Sequence, residues 1–201
     1  MDTRTRIIEA TVATLKTEGI TGTSARAIAR HGGFNQASIF YHFGSIEEVL
    51  MATISFTSQI RIERYRERLQ GVKTLPELVA IGKTLHSEDM DEGNLTVLTQ
   101  LMAGAAGNEE MGKRLREEFQ PWIDVVTDSV NSVLEGSALA GSIPTGDLAY
   151  AISSMFLGVE LLTHLDRSSA NDGLFDSLSG LADMIQNLIQ MADMFGQGST
   201  S

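Results

Sequence analysis

The chain has 201 residues, of which 42% are hydrophobic, with no cysteine and a formal net charge of −11 at pH 7. This composition suits one sizeable domain or two small ones, and it excludes disulfides, cysteine-based zinc sites and thiol catalysis. Residues 1–68 hold nine Lys and Arg against seven acids, whereas residues 69–201 hold six against nineteen, so only the first third suits a nucleic-acid partner.

Apolar residues recur at helical spacing, with glycine between segments and no useful β-type alternation, which predicts an all-α protein of about nine helices. The charged N-terminus lacks the apolar core of a secretory signal, so we expect a cytoplasmic protein. The predicted helices cover about 3–18, 24–31, 35–41, a segment from after Ser45 to 69, 75–89, 95–106, 109–135, 145–166 and 172–195.

Residues 24–43 have the pattern of a helix-turn-helix. Ser24 is a suitable N-cap for the second helix, and Gly33 suits a turn position that needs positive φ. The apolar residues spaced to meet in one small core are Ile28, Ala29, Phe34, Ile39 and Phe43. The side chains then left on the outside, where the major groove of DNA would receive them, are Asn35, Gln36, Ala37, Ser38, Tyr41 and His42.

Four short patterns together resemble the TetR family of bacterial regulators, and the resemblance covers about residues 4–52: Arg26-x-Ile28-Ala29, Gly33-Phe34, Ile39-Phe40-Tyr41-His42-Phe43 and Glu47-x-x-Leu50. The resemblance implies an all-α fold with a three-helix DNA-binding domain at 1–46 and a larger ligand-binding and dimerisation domain at 47–201. It implies a transcriptional regulator that binds a double-stranded DNA operator as a homodimer and responds to a small organic effector. Repression is the expected mode, because blocking a promoter needs no contact with polymerase.

The resemblance also implies roles for individual side chains. Ser24 would cap its helix and touch phosphate, and Arg26 would reach a guanine edge or the backbone. Gln36 would pair with adenine and Ala37 would touch a thymine methyl, with Asn35 and Ser38 helping at the base edges. Phosphates would be held by Tyr41 and His42.

Two positions depart from the family pattern. Phe40 stands where the family commonly has tyrosine, and Ile46 stands where it commonly has lysine, so two phosphate contacts are missing and weaker operator binding is expected. The alternative is a protein-interaction module whose helix-turn-helix no longer binds DNA. An enzyme is not expected, because the four histidines lie on separate segments without metal spacing and no phosphate-binding glycine loop occurs; no metal or cofactor is expected either.

The last two predicted helices favour a homodimer. Residues 145–166 are apolar nearly all round but contain Glu160, which indicates a helix buried between protein neighbours rather than a membrane span. A coiled-coil-like spacing of four and three follows in 172–195, at Leu174, Leu178, Leu181, Ile185, Leu188, Ala192 and Phe195. Two helices from each chain would form the interface, as in the resembled family; alternatively, both helices fill the core of one chain.

Helices five to seven are expected to enclose a mainly apolar effector. The candidate lining residues are His86, Met90, Thr99, Met102, Phe119, Trp122, Val126 and Phe156. Plain core packing is the alternative for each of them. Arg61, Arg64, Arg66 and Arg68 alternate with acids on the fourth helix, which indicates either a solvated face of weak ion pairs or an electrostatic connection between domains.

Overall fold

The computed structural model describes residues 2–92, 94–137, 139–165 and 172–197. Within these ranges the chain is all helical, which confirms the predicted fold class, and no helix there is long and apolar enough to cross a membrane. Its nine helices are α1 (Thr3–Gly22), α2 (Ala25–Gly32), α3 (Ala37–Phe43), α4 (Ile46–Leu69), α5 (Leu75–Glu92), α6 (Asn94–Ala105), α7 (Glu109–Leu134), α8 (Thr145–Leu165) and α9 (Asp172–Gln197).

The start of α3 differs from the prediction for a local reason, and the end of α1 depends on Gly19. α3 begins at Ala37 rather than at 35, because the side chain of Asn35 accepts a hydrogen bond from the Ala37 N–H at 2.9 Å and so forms a turn before the helix. The span of α1 to Gly22 joins two helical segments across Gly19, where φ is 68° and ψ is −178°, outside the helical region. The first segment therefore ends at the predicted glycine, and a short helical turn follows it.

The first of two compact units contains the chain up to residue 61 together with Glu92–Gln120. It comprises α1 to α3, the first part of α4, α6 and the first part of α7. One of its two cores lies among the first four helices and includes Ile7, Ile28 and Ile39, each fully buried. The other joins α1 and α4 to α6 and α7 through residues such as Leu15 and Leu101. The helix-turn-helix thus shares a compact unit with two later helices.

The second unit contains Ile62–Asp91 and the chain from Pro121 onward. Its main core gathers side chains from α4, α5 and α7, among them Tyr65, Leu85 and Val125. On α9 the buried residues Phe175, Ala182 and Ile189 are spaced by seven and share one side of the helix. The predicted functional division at 46/47 does not coincide with these structural units and stays a prediction.

We predict that Ile39→Ala lowers the free energy of unfolding by about 2–5 kcal/mol, because Ile39 is fully buried in the three-helix core. Ile60→Ala is the matched control, since the same atoms are removed from a side chain that is 58% exposed; its effect is expected to stay within about 1 kcal/mol. Urea unfolding followed by circular dichroism measures both. Equal losses in the two variants would contradict the assignment of Ile39 to the core.

Candidate nucleic-acid interface

The orientation of α3 is set by its buried side. Ile39 packs with Ile28, Ala29 and two half-buried rings, Phe34 and Phe43, which confirms the core predicted from the sequence. The core also contains Ile7 and Ala10 from α1 and Val49 from α4, residues that the spacing within the helix-turn-helix alone does not reveal. Because Ile39 points inward, the opposite flank of this short helix faces solvent.

The turn between α2 and α3 depends on two glycines. Gly33 has φ 64° and ends α2, in the left-handed conformation that side chains disfavour. A Cβ atom on Gly32 would lie 2.0 Å from Cε1 of Phe34, so only glycine allows the ring to fold over the end of the helix. At the other end of α2, Ser24 accepts a hydrogen bond from the Ala27 N–H at 3.2 Å, which confirms its predicted capping role.

The predicted DNA-contacting residues lie on and just before α3. Asn35, Gln36, Ala37 and Tyr41 are exposed, with Tyr41 the most prominent at 86%, and Ser38 and His42 are half-buried. Ser24 and Arg26, at the start of α2, are also exposed. The side-chain oxygen of Asn35 already accepts a hydrogen bond from the Ala37 N–H, so its amide group is the part that remains available to a base edge. The resulting surface is polar, small in side-chain volume and free of acidic residues, which suits a polyanionic partner.

Two arginines near the N-terminus hold this surface in place. Arg4 donates from Nη1 to the carbonyl oxygen of His42 at 2.9 Å, and its guanidinium lies 4.2 Å from the centre of the Phe43 ring. Arg6 donates from Nη2 to the carbonyl oxygen of Gly32 at 3.3 Å. These contacts span 38 and 26 residues, so no local motif could have identified them. They tie α1 to the end of α3 and to the turn.

A second polar group joins α1 to α2. Oε1 of Glu18 lies 2.5 Å from Nη2 of Arg30 and 2.7 Å from Nε2 of His31. The hydrogen bonds from Arg30 and then His31 lower the pKa of Glu18, so its carboxylate is charged at neutral pH. Stabilisation from this group is therefore present near neutrality and is lost as pH falls through the lowered pKa. Its exposure keeps that contribution small.

The start of α4 is held by its own cap and by side chains at or just before the start of α7. Ser45 caps α4 by accepting from the Glu48 N–H at 3.1 Å, and the Glu48 carboxylate accepts from both Nη1 and Nη2 of Arg114, at 2.7 and 3.1 Å. These bonds lower the pKa of Glu48. Beside them, Asn108 donates to Oε1 of Glu47 at 2.8 Å. Arg114 and Asn108 could not be assigned from the sequence, because both lie more than 60 residues away.

Ile46 and α6 complete the support of the helix-turn-helix. Ile46 is half-buried and packs against both cores of the first unit, so it supplies packing at the position where the resembled family commonly has lysine. At the end of α1, the side-chain oxygen of Gln100 accepts from the Ile20 N–H at 2.9 Å. This bond satisfies a backbone donor that is freed by the interruption at Gly19.

The structure divides the candidate effector residues between the two units. Three of these residues belong to the first unit: Met102 and Phe119, which pack against its core, and Thr99. The second unit contains His86, Trp122, Val126 and Phe156. The side chain of Met90 lies outside the described residues. Within the second unit the rings of His86 and Phe156 are 6.1 Å apart. Tyr65 and Phe175 join the same group of rings and were not predicted.

Of the two alternatives for the α4 arginines, a solvated face does not describe Arg61, which is buried, or Arg64. An electrostatic connection between domains stays a prediction. Arg64 hydrogen-bonds to Asp89, whose side chain is fully buried, and lies beside Glu88. Arg66 and Arg68 do form exposed pairs, with Glu63 and Glu88. Glu160 is also buried, at 2% exposure. The alternation of arginines and acids along α4 does not show which acid on another helix an arginine will pair with.

Two short helices joined by a glycine turn, with the polar flank of the second exposed and its apolar flank buried, define a helix-turn-helix DNA-binding protein. The sequence model of the bacterial regulatory proteins of the tetR family matches residues 7–53. The HTH-type transcriptional regulator UidR of Escherichia coli K12 is 21% identical over 157 residues, which cover 78% of this chain and 79% of UidR.

Solved structures agree on the fold. A TetR-family transcriptional regulator from Rhodococcus sp. has a TM-score of 0.73 at 18% identity, with 91% of this chain and 97% of that chain covered. The multidrug binding protein EbrR, solved in complex with imidazole, has a TM-score of 0.66 at 18% identity, with 92% and 96% covered. The match at 7–53 identifies a DNA-binding domain of the tetR type in this chain, and over most of its length the chain is similar to a transcriptional regulator with such a domain.

We predict that Gln36→Ala weakens binding to a DNA duplex selected from a random pool by about 5- to 150-fold, because one bidentate base contact contributes about 1–3 kcal/mol. Gln59→Ala removes the same group from an exposed position on α4 and is expected to leave affinity unchanged. Fluorescence anisotropy with labelled duplex at fixed salt measures both. Equal affinity for wild type and Gln36→Ala would remove Gln36 from the interface.

Proposed function

We propose that this chain is a ligand-responsive repressor that binds a palindromic operator as a homodimer. Its DNA-binding domain would be residues 1–46, and residues 47–201 would bind the effector and form the dimer. The exposed polar flank of α3 is the observation that carries the DNA-binding part of this proposal. The alternative, an interaction module that no longer binds DNA, draws support from Phe40, an apolar ring that is 49% exposed beside that flank.

The apolar outer side of α8 and α9 supports the dimer. Large hydrophobic side chains that are at least 37% exposed follow one another along both helices: Leu148, Tyr150, Met155 and Leu162 on α8, and Leu174, Leu181, Met184, Ile185, Leu188, Met191 and Met194 on α9. A soluble protein rarely leaves so many large apolar residues together in water. α9 already contributes Phe175, Ala182 and Ile189 to the core of its own unit, so this second apolar side is available for another chain.

A second copy is the partner that fits this surface best. The exposed Leu174, Leu181 and Leu188 repeat every seven residues, a spacing suited to packing against a matching helix. Two-fold symmetry presents the same patch on each chain, and it places two recognition helices on a duplex whose half-sites are centred about 34–36 Å apart. A palindromic operator follows from that symmetry.

Effector control would act through the contacts that hold the helix-turn-helix within the first unit. α6 and α7 hold α1 and α4 through Gln100 and Arg114, so a displacement of either helix changes the position of the DNA-binding surface. EbrR, a protein of similar fold, binds imidazole, which supports a small-molecule site in this chain. Release of DNA requires that the effector binds the non-operator conformation more tightly than the operator-binding one.

We predict that Leu188→Glu converts the dimer to monomer and weakens binding to a palindromic duplex at least tenfold, because a charge would be placed on a surface that has to be desolvated. Gln190→Glu is the matched control. Gln190 is exposed and lies about 200° further round α9 than Leu188, away from the row formed by Leu174, Leu181 and Leu188. Sedimentation velocity gives the mass, and anisotropy gives the affinity.

The two measurements separate the parts of the proposal. A wild-type chain that sediments as a monomer at micromolar concentration would overturn the dimer. A dimer that binds no duplex from a random pool above its non-specific affinity would overturn DNA recognition and favour the interaction module. The control variant should match wild type in both measurements.

A further inference from the structure

Five aromatic rings, one from each of five helices, form a continuous group in the second unit. The ring centre of Tyr65 on α4 lies 4.8 Å from that of Trp122 on α7 and 6.1 Å from that of Phe156 on α8. His86 on α5 lies 6.1 Å from Phe156 and 5.4 Å from Phe175 on α9. Most of these contacts are edge-to-face, one of the arrangements that aromatic pairs prefer. We call these five residues the ring cluster.

Polar atoms without a hydrogen-bond partner lie in and beside the ring cluster. The imidazole of His86 is 92% buried, yet its Nδ1 atom has no partner among the described residues. The hydroxyl oxygen of Ser153, also buried, has none either. Ser153 lies three residues before Phe156, hence on the same side of α8. Buried polar atoms are nearly always hydrogen-bonded, so these two sites indicate a partner that belongs to neither helix.

The charge around the ring cluster restricts what that partner can be. The buried carboxylate of Asp89 accepts from the Tyr65 hydroxyl at 2.6 Å, and Glu160, on α8, is also buried. Burial lowers the pKa of His86 against the opposing effect of Asp89, so its imidazole is neutral at pH 7. Because Asp89 is paired with Arg64, its charge is compensated. The neutral imidazole of His86 offers no positive charge to an anion, whereas a hydroxyl group can either donate to Nδ1 or accept from it.

We propose that the ring cluster binds a neutral aromatic compound that carries a hydroxyl group, with the ring against Trp122 and Phe156 and the hydroxyl hydrogen-bonded to Nδ1 of His86. Trp122 and Phe156 are the half-buried members of the cluster, and so the ones that a ligand can reach. This inference rests on the proposed effector control and names the chemistry of its ligand. It changes the expectation of a mainly apolar effector by adding one required polar contact.

Trp122 is the only tryptophan in the chain, so its fluorescence reports directly on the ring cluster. The probes are phenol, toluene and benzoate, titrated into the full-length protein at pH 7 with excitation at the red edge of the tryptophan band. Phenol is expected to bind about tenfold more tightly than toluene, which lacks the hydroxyl, and than benzoate, which is anionic. Equal binding of phenol and toluene, or tighter binding of benzoate, would overturn the proposal.

Two variants at one position isolate the hydrogen bond. His86→Asn places an amide near the position of the former Nδ1 atom. His86→Leu introduces a side chain of nearly the same shape as asparagine but without a polar atom. Phenol affinity is expected to fall about tenfold more in His86→Leu than in His86→Asn, with toluene affinity equal in the two variants. Equal phenol affinities in the two variants would show that water, not a ligand, partners Nδ1 and would overturn the assignment.

Operator affinity is measured separately, so that effector control and ligand binding at the ring cluster can be tested independently. Phenol that binds at Trp122 but leaves operator affinity unchanged would uphold the ring cluster as a site and overturn effector control through it. Phenol that lowers operator affinity equally in wild type and His86→Leu would uphold effector control and overturn the ring cluster as its site.

Discussion

The burial of one residue, Ile39, determines which side of α3 faces solvent and is therefore available to DNA in the proposed function. A helix of seven residues has too little length to hold its own orientation, so its tertiary contacts decide it. Ile39 packs against Ile7 and Ile28, and the polar flank opposite is turned outward by the same packing. The arginines of α1 then restrict α3 further: Arg4 binds the His42 carbonyl near its end and Arg6 binds the Gly32 carbonyl before the turn, so the proposed contact surface is pre-organised without DNA.

The chain is strongly acidic, and its structure shows how a polyanion can still be approached. Glu18 on α1 is paired with Arg30 of α2, and at the start of α4 Glu48 is paired with Arg114. Two acids that flank the helix-turn-helix in sequence are therefore paired with arginines, while the exposed flank of α3 carries no acid. The same pairs join helices that are distant in sequence. Charge neutralisation and mechanical support of the DNA-binding surface thus come from the same contacts.

The sequence predicted the parts of this protein that depend on local patterns. Helical spacing gave the element order, the cap at Ser24 and the turn at Gly33 followed from single residues, and Ile28 and Ile39 followed from their separation. The start of α3 was misplaced because Asn35 bonds to the backbone outside the helix. Contacts between distant segments, such as Gln100 with the end of α1 or Arg64 with Asp89, carry no local signal and required the structure.

The central claim is that the flank of α3 lies in the major groove, once for each chain of a dimer. Methylation interference tests it directly, because dimethyl sulfate modifies N7 of guanine on the floor of that groove. On a selected duplex, methylation should block binding at two groups of guanines, related by two-fold symmetry and separated by about 10–10.5 base pairs or a multiple of that spacing. Tight, specific binding that no guanine methylation disturbs, or disturbance at one group alone, would contradict the account.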